Sequence, residues 1–422
     1  MNDELLARRI STRARVLAPP AGLALALAGQ GVRRAGAQDQ PTVRLTGWTS
    51  SDAENKLFAQ IVQDAQTATN VKIDYQPIPS DYPTKLQTDI AAGSVADVFY
   101  LDSMPAPDFM SNDTLLALDS YMSEAGVKAE DFYPGLIAAF QYGGKTYGLP
   151  KDWSSLAMVY DKTALTDAGI ANAPANWDEL KAAGQALRDK TGEPRINIPP
   201  DFARYLAFHY AGGASVISED GSQITLDSPE AEAALTFYYG LYKDGIATTP
   251  ADAGAGWPGD AFAKDFADIV FEGNWMFPFL EDNAPDIEFG VAEMPAGPAG
   301  KATLAFTVSF SIYANTKVSD AAWDVTNYLT GPEGMEKWTS LGLAMPARPA
   351  LADAWLAKFP EREAFLKTGE YAKPWQLGVG GQAFFNDANA ELQNLFAGGQ
   401  DVKTTLQNMA KAAQNRIQLQ PK

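Results

Sequence analysis

Residues 42–48, TVRLTGW, alternate apolar and polar positions, the period-two pattern of a half-buried strand. The next stretch, SSDAENKLFAQIVQDAQTATN, changes period. It brings Leu57, Phe58, Ile61, Val62 and Ala65 onto one helical face, with Ser and Asp at its start as cap candidates. VKIDYQPI predicts a second strand, and DYPTKLQTDIAAG a helix ending at Gly93. ADVFYL predicts a third strand, nearly continuous in apolar residues as in a buried parallel sheet. Strands alternating with helices predict an α/β lobe.

The middle of the chain repeats the mixture. YGGKTYGLPKDWSSLAMVYDKTAL reads as a Gly-rich turn, a short strand TYGLP and a strand LAMVYD, with Gly148 and Pro150 suited to a crossing between lobes. ANWDELKAAGQALRDKTG predicts a helix capped by Asn176 and ended by Gly192. SPEAEAALTFYYGLYKDG predicts another, with Ser228 as N-cap, Pro229 at its first position and Gly245 at its end. TLAFTVSFSIYANT is strand-like, SDAAWDVTNYLTGPEGMEKWTSLG reads as two short helices, and from Pro346 the chain is helical and Ala-rich. No internal repeat or low-complexity segment interrupts this order.

Composition narrows the function classes. With 422 residues, 46% of them hydrophobic, two domains are the default. The formal charge of -19 argues against nucleic acid and anionic membrane surfaces as partners and leaves neutral or cationic ligands open. The absence of Cys excludes disulfides, thiolate metal sites and Cys nucleophiles. The single His, His209, lies on the apolar stretch RYLAFHYAGG, where a packed, hydrogen-bonded role is expected rather than a triad or metal site; no cofactor is implied. Residues 1–37 read as an export signal: a basic region with Arg8 and Arg9, the short apolar run LALALAG, and AGA at 35–37 as a cleavage site. They hold six Arg and two acids, so the remainder carries 27 basic and 50 acidic residues, formally -23. No later apolar run approaches the ~20 residues a bilayer span needs. A soluble protein outside the cytoplasm, periplasmic or extracellular, is expected.

Ligands of α/β sheets bind outside the carboxyl ends of the strands. Gly47, Trp48, Thr49 and Ser50 follow the first strand, Asp102 and Ser103 the third; a turn or cap role in DSMPAPDF competes for Asp102. Of nine Trp, five (Trp48, Trp153, Trp257, Trp275 and Trp375) sit beside Gly, Pro or polar clusters, whereas Trp177, Trp323, Trp338 and Trp355 lie on helical patterns and read as core. A sugar presents apolar C–H faces and a rim of hydroxyls. Flat rings with a few placed polar groups suit it, and both FEGNWMFPFL (residues 271–280) and KDWSS, with Asp152 beside Trp153, have that chemistry. Core packing explains each Trp as well. A glycosidase would need two facing acids ~5–9 Å apart, and with 50 acids some pair can always be nominated. Gly212 and Gly213 make no phosphate loop. Arg204 and Arg348 have the geometry to clamp an anion, as they have for ordinary salt bridges.

An ordered set of motifs carries a family resemblance: LTGWTSSDAENKLFAQIV, YPTKLQTDIAAGSVADVFYLD, LLALDSYM, GGKTYGLPKDWSSLAMVYDKTAL, DAFAKDFADIVFEGNWM and FSIYANTKVSDAAWDVTNYLTGPEGMEKW. Together they resemble the extracytoplasmic solute-binding proteins of ABC importers, family 1, the carbohydrate-binding type that includes maltose- and multiple-sugar-binding proteins. The resemblance spans nearly all of residues 41–415. It departs at Asp265, where the family usually has Gly, at Asp268, where it has Ala, and at Phe306 and Thr307, which replace a Gly pair.

The resemblance implies an α/β, two-lobe periplasmic-binding-protein fold with a multi-crossing hinge, closing on ligand like a flytrap. The first lobe would hold residues 38–150 and 304–342, the second 151–303 and 343–422, with crossings near Pro150, Leu304 and Gly342. Carried over, the cleft residues are Trp48, Asp102, Trp153 and Trp275, then Trp257, Glu272, Asn274, Phe306 and Arg348, with Tyr82 and Tyr205 added. The implied function is capture of a mono- or oligosaccharide and delivery to the transmembrane subunits of an ABC permease, by a monomer without catalysis. A non-sugar solute such as glycerol phosphate or a polyamine, and a secreted glycoside hydrolase, are the alternatives.

Overall fold

In the computed structural model the residues described are 40–49 and 52–419; the expected export signal at 1–37 lies outside them. The opening strand forms over Thr42–Trp48 and buries Val43 and Leu45 completely. It runs parallel to Lys72–Ile78 on one side and to Val98–Asp102 on the other. The helix Asp52–Thr69 returns the chain between the first two strands, with Phe58, Ile61, Val62 and Ala65 buried as their spacing requires. Val98–Asp102 then pairs antiparallel with the long strand Leu304–Ile312, in register Val308 to Asp102. That strand also pairs with Gly148–Ser155 and with the short Lys373–Pro374, completing a six-stranded mixed sheet.

A second, five-stranded sheet has the order Phe289–Ala292, Ala157–Asp161, Ile269–Glu272, Ile196–Asn197, Ala247–Thr248. Its side chains alternate between two cores. Val159 and Val270 join one apolar cluster; Met158, Ile269 and Phe271 join another, shared with the helices Phe202–Ala211 and Pro229–Lys243. The predicted caps are in place: Asn176 accepts from the Glu179 N–H and Ser228 from the Ala231 N–H. The two sheets, each covered by helices, make the two lobes of an α/β fold.

The expected crossing at Pro150 is displaced. Gly148–Ser155 stays hydrogen-bonded to Leu304–Ile312 up to Ser155, and the chain enters the second sheet only at Ala157. The strand Leu304–Ile312 follows in the first sheet. The two crossings touch, because Thr303 Oγ1 donates to the Leu156 carbonyl at 2.8 Å. Past Gly342 the chain does not leave at once: Met345 bridges Trp153, and Lys373–Pro374 pairs with Leu304–Ala305. Pro360–Arg362 and Glu363–Lys367 already touch the strand Phe289–Ala292 of the second sheet, and Gly381–Phe396 and Val402–Arg416 then pack against the helices Phe202–Ala211 and Pro229–Lys243. Backbone pairing across the sheet, which shifts register beside Pro150 but continues to Ser155, sets these positions.

Candidate functional site

The ends of the first two parallel strands build one wall of a cavity of about 800 Å³. Trp48 closes its strand and stands edge-on to both Tyr82 (5.3 Å between ring centres) and Tyr100 (5.2 Å). The Tyr82 hydroxyl donates to the Tyr100 carbonyl at 2.8 Å and so pins the start of its helix to the neighbouring strand. The Tyr100 ring lies flat on Gly47: a Cβ there would sit 2.6 Å from it, so only glycine admits the ring. Asp102 ends the third strand in the same cavity. One of its oxygens accepts the Met104 N–H at 2.9 Å. Burial pushes its pKa up to about 6 against that hydrogen bond, and the Asp152 charge adds to the rise.

The other wall comes from two helix beginnings of the second lobe. Asp201, Ala203 and Arg204 open the helix Phe202–Ala211; Gln382, Phe385 and Asn386 lie at the start of Gly381–Phe396. Arg204 gives four of its hydrogen bonds to two acids and keeps one Nη1 N–H. Its Nε and Nη2 donate to Glu272 at 3.2, 3.0 and 2.9 Å, and its Nη1 to Asp201 at 3.3 Å. Burial opposes its charge, but the two carboxylates outweigh it and raise its pKa. Glu272, with no exposed surface, also accepts the Trp275 indole N–H at 2.9 Å. From Trp275 an aromatic row leads into the cavity: Trp275 to Phe306 (5.5 Å), Phe306 to Trp375 (5.6 Å), Trp375 to Phe385 (5.1 Å). The last three line the cavity; Trp275 stands one ring behind them, folded over Gly273.

Of the residues the sequence singled out, the structure thus brings Trp48, Asp102, Phe306 and Tyr82 to one cavity. Glu272 and Trp275 support it from behind. The others are elsewhere. Trp153 is 1% exposed; it packs on Tyr133 and donates its indole N–H to the Pro346 carbonyl, because the strand register turns it into the core. Asn274 ties the lobes instead: it accepts from Ser154 Oγ and donates to the Leu343 carbonyl at 3.0 Å. Trp257 packs on Phe279 beside its own helix. Arg348 donates to the Thr330 carbonyl and lies over the Phe132 ring in the first lobe. Tyr205 is buried against Tyr238, its hydroxyl 3.2 Å from His209 Nδ1, which confirms a packed role for that His.

The sequence sets Trp375 among the loop Trp without carrying it to the cleft, and does not reach Phe385 and Asn386. The available signal was GVGGQAFF, where Gly378 and Gly380 take positive φ just before a helix that opens with paired Phe. The family departures at Asp265 and Asp268 have a local cause: both side chains bond Arg195, and neither lines the cavity. Among the described residues no cluster of His, Cys, Asp or Glu could hold a metal ion, and no helix is long and apolar enough to cross a membrane.

Two α/β lobes, joined by touching strand crossings and sharing an aromatic-walled cavity, define the class of two-lobe solute-binding proteins. The chain belongs to the bacterial extracellular solute-binding protein family, whose profile matches residues 49–336. A Brucella abortus protein named only as a binding protein is 30% identical over 351 residues, 79% of this chain and 77% of its own. An ABC substrate-binding protein of Listeria monocytogenes, solved with cycloalternan, shares the fold with a TM-score of 0.82 at 22% identity, over 89% of this chain and 99% of its own. The GacH receptor of Streptomyces glaucescens, solved unliganded and with acarbose, gives 0.81 at 23% identity, over 89% and 98%.

Proposed function

We propose that this chain is the exported substrate-binding component of an ABC importer, a monomer that takes a mono- or oligosaccharide between its lobes and passes it unchanged to the permease. One observation carries the reading. The cavity presents Trp48, Tyr82, Phe306, Trp375 and Phe385 as apolar faces, with Asp102, Gln382, Asn386 and Arg204 as isolated polar groups among them. Rings cover the C–H faces of a pyranose and the polar groups meet its hydroxyls. The cycloalternan and acarbose complexes of similarly folded proteins support the same ligand class. The lobes would close about the crossings at Leu156 and Thr303.

The acid nearest the aromatic row supports binding rather than hydrolysis, since Glu272 is held by Arg204 and Trp275 and does not itself line the cavity. A thermal-shift screen across neutral mono- and oligosaccharides tests the proposal, because a ligand that binds only the folded state raises the melting temperature by mass action. At least one carbohydrate should raise it. Sustained product release from aryl-glycosides would replace binding with catalysis as the function.

A further inference from the structure

The charges around the cavity are lopsided. Asp81, Asp102 and Asp201 line it, and Glu272 stands directly behind Arg204, the one basic residue in the lining. Four carboxylates face one guanidinium. That guanidinium has little left to offer a ligand, since its Nε, Nη1 and Nη2 all donate to Glu272 or Asp201. Lys151, whose ammonium lies against the Tyr100 ring, is buried and bonded to Asp152. The helix beginnings that face the cavity already meet acids. Asp201 accepts the Arg204 N–H, Asp108 accepts the Gly380 N–H, and Asp81 holds the N-cap position before Tyr82.

Asp102 differs from Asp201 and Glu272, which Arg204 holds, and from Asp81, which is exposed. It is partly buried, it accepts a single backbone N–H, and among the described residues no basic side chain pairs with it. A carboxylate in that setting is under-satisfied, and a cationic donor would relieve it more than a hydroxyl, because charge-assisted hydrogen bonds are roughly twice as strong as neutral ones. The surrounding rings favour a cation as well.

We propose that the cleft selects its sugar by charge: it takes a sugar bearing a protonated amine, with Asp102 as the partner of the ammonium, and rejects sugars bearing carboxylate or phosphate. This rests on the carbohydrate reading above. It adds that an anionic ligand would meet three lining carboxylates and an arginine already held by two acids. A primary ammonium could also come from an aliphatic polyamine, which lacks a ring for Trp48, Phe306 and Trp375 to cover.

The test is calorimetry and thermal shift on the full chain with four probes: glucosamine oligomers, the same oligomers N-acetylated, oligogalacturonate, and spermidine. Glucosamine oligomers should bind about tenfold tighter than the N-acetylated ones, the scale of one charge-assisted bond. Oligogalacturonate should give no shift, and spermidine only a small one. Asp102→Asn should bring the two glucosamine series to within about threefold of each other. The wild-type panel decides the matter even where that variant folds poorly. Equal or tighter binding of the N-acetylated or galacturonate series overturns charge selection and leaves the carbohydrate reading standing. A shift with spermidine and with no oligomer overturns the carbohydrate reading instead.

Discussion

Trp275 and Glu272 are joined by a 2.9 Å hydrogen bond from the indole N–H to a carboxylate with no exposed surface. The same carboxylate holds Arg204, so the pair fixes both a cavity residue and the ring on which Phe306 leans. Trp275→Ala removes the hydrogen bond and the edge-on contact together. Sugar affinity should fall about tenfold through displacement of Arg204 and Phe306, and stability by about 3 kcal/mol, as for other large-to-small changes at packed aromatics. Calorimetric titration and urea unfolding read the two effects separately. Loss of stability with unchanged affinity would make Trp275 a core residue only.

Arg204→Met keeps an unbranched apolar stem and removes the charged head. Among the described residues Glu272, a buried carboxylate, then keeps one donor, the Trp275 indole N–H. Breaking one partner of a buried pair costs about 3–5 kcal/mol, whereas removing both is far milder. The double variant Arg204→Met with Glu272→Gln should therefore be more stable than Arg204→Met alone. Urea midpoints of the three proteins check this, and equal midpoints for the single and double variants would mean that the pair is not coupled.

Much of this site was legible because strand ends in α/β sheets advertise themselves. Trp48 and Asp102 follow from the positions where alternating or apolar runs stop, and the structure puts both on one cavity. Trp153 was not legible. It lies in a strand whose main partner, Leu304–Ile312, is far along the chain, Trp153 pairing with Thr307, and that long-range register decides which face it shows. Phe384 and Phe385 make the same point at closer range: adjacent in sequence, one is fully buried and the other lines the cavity. Only the packing of Gly381–Phe396 against the second lobe separates them. The helical Trp were easier, since Trp177, Trp323, Trp338 and Trp355 are all buried as their periodic settings require.

Gly47→Ala tests the first wall without touching a polar group. The added methyl would meet the Tyr100 ring at 2.6 Å, and the ring is bounded by Trp48 and Phe58. Overpacking of this kind costs about 1–3 kcal/mol. Tyr100 must shift, and Trp48 with it, so sugar binding should weaken along with the melting temperature. Trp fluorescence on titration with ligand reports the change at Trp48.

The acid limb of the stability curve should carry two opposed contributions. Burial lowers the pKa of His209 to about 4, whereas an unfolded chain protonates His near 6.5. Between those values the unfolded state gains a proton that the folded state refuses. Stability is therefore lost as pH falls from about 6.5 to about 4, by up to about 3 kcal/mol, and the term is flat above pH 7. Asp102 acts the other way. Burial raises its folded pKa to about 6, above the unfolded 3.8, so the folded state holds the extra proton in that window and gains stability as pH falls through it. Asp102→Asn removes the compensating term, and its melting temperature should drop more steeply than that of the wild type between pH 6 and 4. His209→Phe removes the destabilising one and should flatten the limb. Melting curves across this range for the three proteins separate the terms; parallel curves would mean that neither group titrates with the shift its burial implies.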